Sequence, residues 1–86
     1  MRVTIPSPLR SYTQGRSEVD TTGNSFSELL SNLDTAFPGI RFRMIDEQDR
    51  IRRHIRFFVN REQVTDLAQA LRDDDEVQIL CALSGG

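Results

Sequence analysis

The sequence predicts a small α+β domain: a mixed sheet of four to five strands with one main helix packed on one face. Three observations lead there. Residues 25–37 repeat their apolar side chains at helical spacing, other stretches alternate at strand spacing, and the order is strand, strand, helix, strand, strand. With 86 residues the chain forms one domain. A chain of this size buries roughly 60–65% of its unfolded surface, enough for one core but not for a deep catalytic cleft.

The elements follow in order. Arg2 to Ile5 alternates, with Val3 and Ile5 on one face, and reads as a short first strand. Pro6 and Pro8 end it because neither can donate a ladder hydrogen bond. After a loop containing Gly15, Arg16 to Thr22 reads as a weaker strand around Val19, antiparallel to the first. Ser25 and Glu28 have capping-box spacing, and Phe26, Leu29, Leu30, Leu33 and Phe37 then form one apolar helical stripe that Pro38-Gly39 stops. Ile51 to Val59 alternates again. Ile51, Ile55, Phe57 and Val59 share one face, and Arg52, His54, Arg56 and Phe58 the other. Asn60-Arg61-Glu62 reads as a turn leading to Val64. Asp66 to Leu71 is expected to form a short helical turn with Leu67 and Leu71 inward. Asp73-Asp74-Asp75 is a turn, and Glu76 to Leu83 is the last strand, with Val77, Ile79 and Cys81 facing inward. Residues 1–83 thus form the domain and residues 84–86 a tail.

Composition narrows the function. Hydrophobic content of 37%, 28% charged residues and a net charge of −2 fit a globular protein with no broad attraction for nucleic acid. No apolar run approaches a membrane span, and the N-terminus lacks the apolar segment of a secretory signal. A single cysteine, Cys81, excludes an internal disulfide and fits a reducing cytoplasm. All eleven basic residues are Arg. A genome or lineage that favours Arg would account for that; so would protection, because a chain whose C-terminus becomes an activated acyl group would have no lysine amine of its own to acylate.

Internal chemistry is scarce. One His and one Cys cannot make a zinc site, which needs three or four ligands. No elbow motif surrounds a serine, and no glycine-rich phosphate loop is present. Asp73 to Glu76 does not match the spacing of a calcium loop. His54 reads as a surface residue and Cys81 as a packed thiol. Two features remain. A solvated sheet face should be polar at every second position, yet Phe58 and Leu80 fall on that parity. If their strands are neighbours, they form an apolar spot beside Arg56 and His54, the signature of a partner-docking patch. The second feature is Gly85-Gly86 at the end of the sequence. A diglycine packs nothing and costs backbone entropy. It can instead thread a narrow channel and present its carboxyl carbon to an enzyme, where a frayed tail is the plain alternative.

The order Ile5-Pro6, Leu9-Arg10, the Ser25–Leu33 helix, Phe37-Pro38-Gly39-Ile40, Phe58-Val59-Asn60, Asp75-Glu76-Val77 and Leu83-Ser84-Gly85-Gly86 resembles the MoaD/ThiS family of ubiquitin-like sulfur carriers over nearly the whole chain. The Pro8-Leu9-Arg10 opening and the Phe-Pro-Gly-Ile turn look closest to the branch that feeds sulfur to a cysteine synthase. Asp74 departs from the Gly frequent in the family at the middle of the Asp73-Asp74-Asp75 turn, and Cys81 from the Pro or Ala common nearby.

The resemblance implies a β-grasp fold and a carrier rather than an enzyme. A partner resembling the ubiquitin-activating enzymes would use ATP and magnesium to adenylate the Gly86 carboxylate. A sulfurtransferase persulfide would convert the adenylate to a thiocarboxylate, 1-thioglycine at position 86, for a sulfur-accepting enzyme such as a cysteine synthase or the large subunit of molybdopterin synthase. Gly85 would keep the arm thin, Ser84 and Leu83 would line the channel entrance, and Phe58, Leu80, Arg56 and His54 would dock the body. No bound cofactor, metal, nucleic acid or membrane is implied. Two other readings use the same sequence: a ubiquitin-like modifier joined to target lysines through Gly86, and a plain β-grasp interaction module with an inert tail.

Overall fold

The structure is a computed structural model and describes residues 1–82. Five strands, β1 (Arg2–Thr4), β2 (Glu18–Asp20), β3 (Ile55–Val59), β4 (Glu62–Val64) and β5 (Glu76–Cys81), form one sheet in the order β2-β1-β5-β3-β4. β1 and β5 run parallel at its centre, with Val3 opposite Val77, and the other neighbours are antiparallel. Helix α1 (Phe26–Ala36) is the main helix. This is the expected mixed sheet with one main helix, at five strands.

Alternation decides which sheet face is covered. Val19, Val3, Val77, Ile79, Ile55, Phe57, Val59 and Val64 point to the same side and are buried. Against them lie Phe26, Leu29, Leu30 and Leu33 of α1, each with no exposed surface. The Phe26 and Phe57 rings meet at 4.7 Å in a tilted pair and join the two layers. The capping box forms: the Glu28 N–H donates to Ser25 Oγ at 3.2 Å, and the Asn24 N–H donates to Glu28 Oε1 at 3.3 Å. Phe37 takes the C-cap position and is half-buried.

Three local readings change. The expected strand from Ile51 begins only at Ile55; Ile51 instead makes an isolated bridge to Ile45. Asp66 to Leu71 forms a single hydrogen-bonded turn, not a helix, because its backbone serves another element. The N–H groups of Phe26 and Ser27 donate to the carbonyls of Gln69 and Leu67, and that of Leu71 to Asn24, so this segment caps the start of α1. Its inward residues are as expected, with Leu71 buried and Leu67 half-buried. The third change is an added element, helix α2 (Ile40–Met44). The alternation in Ile-Arg-Phe-Arg-Met imitates a strand. Gly39 turns the chain at φ 96°, and Asp34 Oδ1 accepts hydrogen bonds from the Gly39 and Arg41 N–H groups at 3.1 Å, a cap supplied from the end of α1. Ile40 and Met44, four residues apart, then enter the core together.

Two turns hold β5 in register. Val59 and Glu62 are paired across Asn60 and Arg61, which sit at φ 50° and 73° in a two-residue hairpin turn. The Asn60 amide donates to Asp75 Oδ1 at 2.8 Å and accepts from the Glu76 N–H at 3.0 Å. Asp75 Oδ2 accepts from the Arg72 N–H at 2.8 Å. The hairpin is thereby tied to the first residue of the central strand.

Candidate functional site

The central strand places one of the two features singled out in the sequence, the apolar pair Phe58 and Leu80. β3 and β5 are antiparallel neighbours, with Arg56 opposite Leu80 and Phe58 opposite Gln78. Phe58 and Leu80 are therefore diagonal neighbours on the face away from α1. Leu80 is 44% exposed, and Phe58 is half-buried. Around them this face carries Arg2, Thr4, Glu76, Gln78 and Gln63, so the two apolar residues interrupt a polar surface.

Arg56 shares that face and is exposed. His54, expected there from the alternation, is exposed but lies in the turn before β3, where strand parity no longer applies, and it lines a groove with Tyr12 and Phe42 instead. The Arg56 guanidinium donates through Nη1 to the carbonyls of Arg53 at 2.7 Å and Ile55 at 2.9 Å. It is folded onto its own strand entry and stands over the carbonyl groups there as a fixed cation. His54 accepts at its carbonyl from the Ala82 N–H at 2.7 Å. That bond holds the chain just beyond β5 against the start of β3. Leu83, Ser84, Gly85 and Gly86, the tail positions named from the sequence, lie outside the described residues.

Cys81 lies on the opposite parity, half-buried against the core. Burial pushes its thiol pKa up, which keeps it protonated and a poor nucleophile at neutral pH. This matches a packed thiol and does not favour a sulfur relay through Cys81. No group of three or more His, Cys, Asp or Glu side chains that could hold a metal occurs among the described residues. Asp75 is held below the usual carboxylate range by the Arg72 N–H and the Asn60 amide, and Asp46 by the Arg50 N–H, against the opposing effect of its burial. Both carboxylates accept backbone hydrogen bonds in turns and serve the fold. Among the described residues, no helix is long and apolar enough to cross a membrane.

The sequence signal missed at this end of the molecule is Phe42, which is 55% exposed on α2. The apparent strand alternation around it hid a helix whose inner positions are Ile40 and Met44, leaving Phe42 outside.

A five-stranded mixed sheet with a central parallel pair and one main covering helix defines a ubiquitin-like β-grasp protein. Comparison with known proteins narrows the class. The ThiS family model matches residues 3–86, and the chain belongs to that family. It is 35% identical over 89 residues to the sulfur carrier protein CysO of Mycobacterium tuberculosis, covering 98% of this chain and 96% of that one. Among solved structures, a chain in the Amycolatopsis orientalis BexX/CysO complex superposes with a TM-score of 0.91 at 32% identity, covering 99% of this chain and 98% of that chain. The crystal structure of Mycobacterium tuberculosis CysO gives 0.90 at 33% identity, over 95% and 98%.

Proposed function

We propose that this chain is a sulfur carrier whose reacting group is the Gly86 carboxylate. The observation that carries the reading is the full-length likeness to a protein named a sulfur carrier, with the family match running through the diglycine. The described residues support it by what they place together. The last strand is central, the residue after it is bonded to His54 through the Ala82 N–H, and the flanking sheet face carries Phe58 and Leu80 beside Arg56.

The chemistry follows from the carboxylate. An α-carboxylate has a pKa of about 3.3–3.7 and is an anion at neutral pH, hence a poor electrophile. A partner adenylating enzyme using ATP and magnesium would turn it into an acyl-adenylate with release of pyrophosphate. The terminal sulfur of a sulfurtransferase persulfide would attack the acyl carbon and expel AMP. Reduction of the resulting S–S bond by a thiol would leave the thiocarboxylate at Gly86. A sulfur-accepting enzyme, of the cysteine or molybdopterin type, would then take the sulfur and return the carboxylate. This chain's part is to present a thin arm and to dock its body through Phe58, Leu80 and Arg56. It acts as a co-substrate of its partners. A reducing cytoplasm would suit both the persulfide step and the free thiol of Cys81.

The test is exchange of radiolabelled pyrophosphate into ATP by a ubiquitin-activating-type enzyme from the same source, with this chain as acceptor. Exchange that requires the chain and is lost when Gly86 is deleted is the expected result. Exchange that proceeds equally with the Gly86-deleted chain would overturn the assignment of the reacting group.

A further inference from the structure

A second surface lies beside the tail's point of departure, on a different side from Phe58 and Leu80. A groove of about 620 Å³ has Tyr12, Phe42, Arg43, Arg52, His54 and Ala82 in its lining. Two aromatic–guanidinium pairs form its walls. The Arg52 guanidinium carbon stands 4.6 Å from the centroid of Phe42, and Arg52 Nε donates to the Phe42 carbonyl at 2.7 Å. Arg43 stands 5.7 Å from the centroid of Tyr12, and its Nε donates to the Tyr12 hydroxyl.

Each guanidinium has five N–H donors and is held by one, so donors remain and the side chain is already ordered. Neither Arg43 nor Arg52 is ion-paired with a carboxylate among the described residues. No acidic residue lines the groove among the described residues, although the chain has thirteen Asp and Glu against eleven Arg. Charge is segregated along the chain: residues 41–56 hold six of the arginines and only three of the acidic residues. An exposed Phe flanked by pre-ordered, unpaired arginines is an unusual use of surface, because large exposed apolar groups rimmed by polar ones mark interaction sites.

The geometry points to this groove as a docking site for a protein segment that presents carboxylates beside an apolar side chain. The apolar group covers Phe42 and Tyr12, and the carboxylates take the remaining guanidinium donors, whose planar fork suits a carboxylate. Since Ala82 is in the groove's lining, such a segment would sit at the mouth of any enzyme that receives the tail. In that respect the inference rests on the carrier reading; the charge and aromatic arguments do not.

The test is a backbone NMR titration of the full chain with the blocked peptide Leu-Asp-Phe-Glu-Leu, and with its neutral counterpart Leu-Asn-Phe-Gln-Leu. The acidic peptide is expected to shift the amides of Tyr12, Phe42, Arg43 and His54, and the neutral one to do so far less. Arg43→Glu exchanges attraction for repulsion at an exposed pair and should weaken binding about fivefold. Phe42→Ala removes the apolar contact and should weaken it by a similar factor, about fivefold. Both residues are exposed, so both variants keep the core resonances. No shift at these amides, an equal response to the neutral peptide, or shifts confined to Phe58 and Leu80 would overturn the proposal. So would two controls without peptide: movement of the same amides when residues 83–86 are deleted, which makes the chain's own tail the occupant, or on raising protein concentration, which makes a second copy the occupant. Pyrophosphate exchange is measured separately, so the failure of this proposal and the failure of the carrier reading are distinguishable.

Discussion

Ile79 and Leu80 are adjacent in the central strand, and the same substitution at each should have opposite consequences. Ile79 has no exposed surface, whereas Leu80 is 44% exposed on the open face. Truncating a fully buried aliphatic side chain removes its transfer free energy and leaves a cavity, so Ile79→Ala should cost about 2–5 kcal/mol. Full burial of a leucine side chain contributes about 1.5–3 kcal/mol, and Leu80 is a little over half buried. It leaves no enclosed cavity, and the unfolded chain already hides part of its surface, so Leu80→Ala should cost about 1 kcal/mol. Urea denaturation of both variants with a common m-value measures this. In pyrophosphate exchange, Leu80→Ala should raise the KM for the carrier with little change in kcat, because it removes a docking contact and leaves the reacting group itself unaltered. A Leu80→Ala variant as unstable as Ile79→Ala would show that the open face is covered in the folded chain. An unchanged KM would show that Leu80 does not dock.

Three further outcomes follow from the turns and from one close approach. Asn60→Gly keeps the left-handed backbone of the hairpin and the backbone bond to the Glu76 carbonyl but removes the side-chain bonds to Asp75 and the Glu76 N–H; it should cost about 1–2 kcal/mol near neutral pH. Asp75 has a lowered folded pKa, so the stability it contributes is present above its unfolded value and is lost as pH falls through the folded one. The gap between wild type and Asn60→Gly should therefore narrow in acid, and denaturation at a series of pH values checks this. Arg61→Gly should stabilise by about 0.5 kcal/mol, since relief of the left-handed conformation at φ 73° outweighs the added freedom of the unfolded chain; a lower melting temperature would contradict this. Gly23→Ala should destabilise by about 3 kcal/mol or abolish folding, because its new methyl would lie 2.6 Å from the Leu29 backbone nitrogen, and thermal unfolding reads the loss.

The fold was legible where a local pattern and the tertiary role agree. The stripe of Phe26, Leu29, Leu30 and Leu33 says helix and also supplies the core layer, and the Ser25–Glu28 box marks its start in the sequence and in space. It was not legible where the cause lies far along the chain. Helix α2 is capped by Asp34, and residues 67–71 give their carbonyls and N–H groups to α1 rather than to each other. The fragments Phe58-Val59-Asn60 and Asp75-Glu76-Val77 could be noticed as motifs, but only the structure shows Asn60 and Asp75 bonded to one another. The same division holds at the site. Parity alone put Phe58 and Leu80 on the outer face, and the β3–β5 register then made them diagonal neighbours. The groove at Phe42 gave no signal because alternation disguised its helix.

The central claim is that sulfur is carried on the carboxyl carbon of Gly86. The most direct measurement is mass spectrometry of the C-terminal peptide after incubating the chain with a ubiquitin-activating-type enzyme, ATP, magnesium, a persulfide-forming sulfurtransferase with its sulfur donor, and a thiol reductant. The account predicts a mass gain equal to the replacement of one oxygen by sulfur, localised to Gly86 and absent without ATP. A peptide of unchanged mass in a reaction where the same enzyme does adenylate the chain, or sulfur found on Cys81 instead, would contradict it.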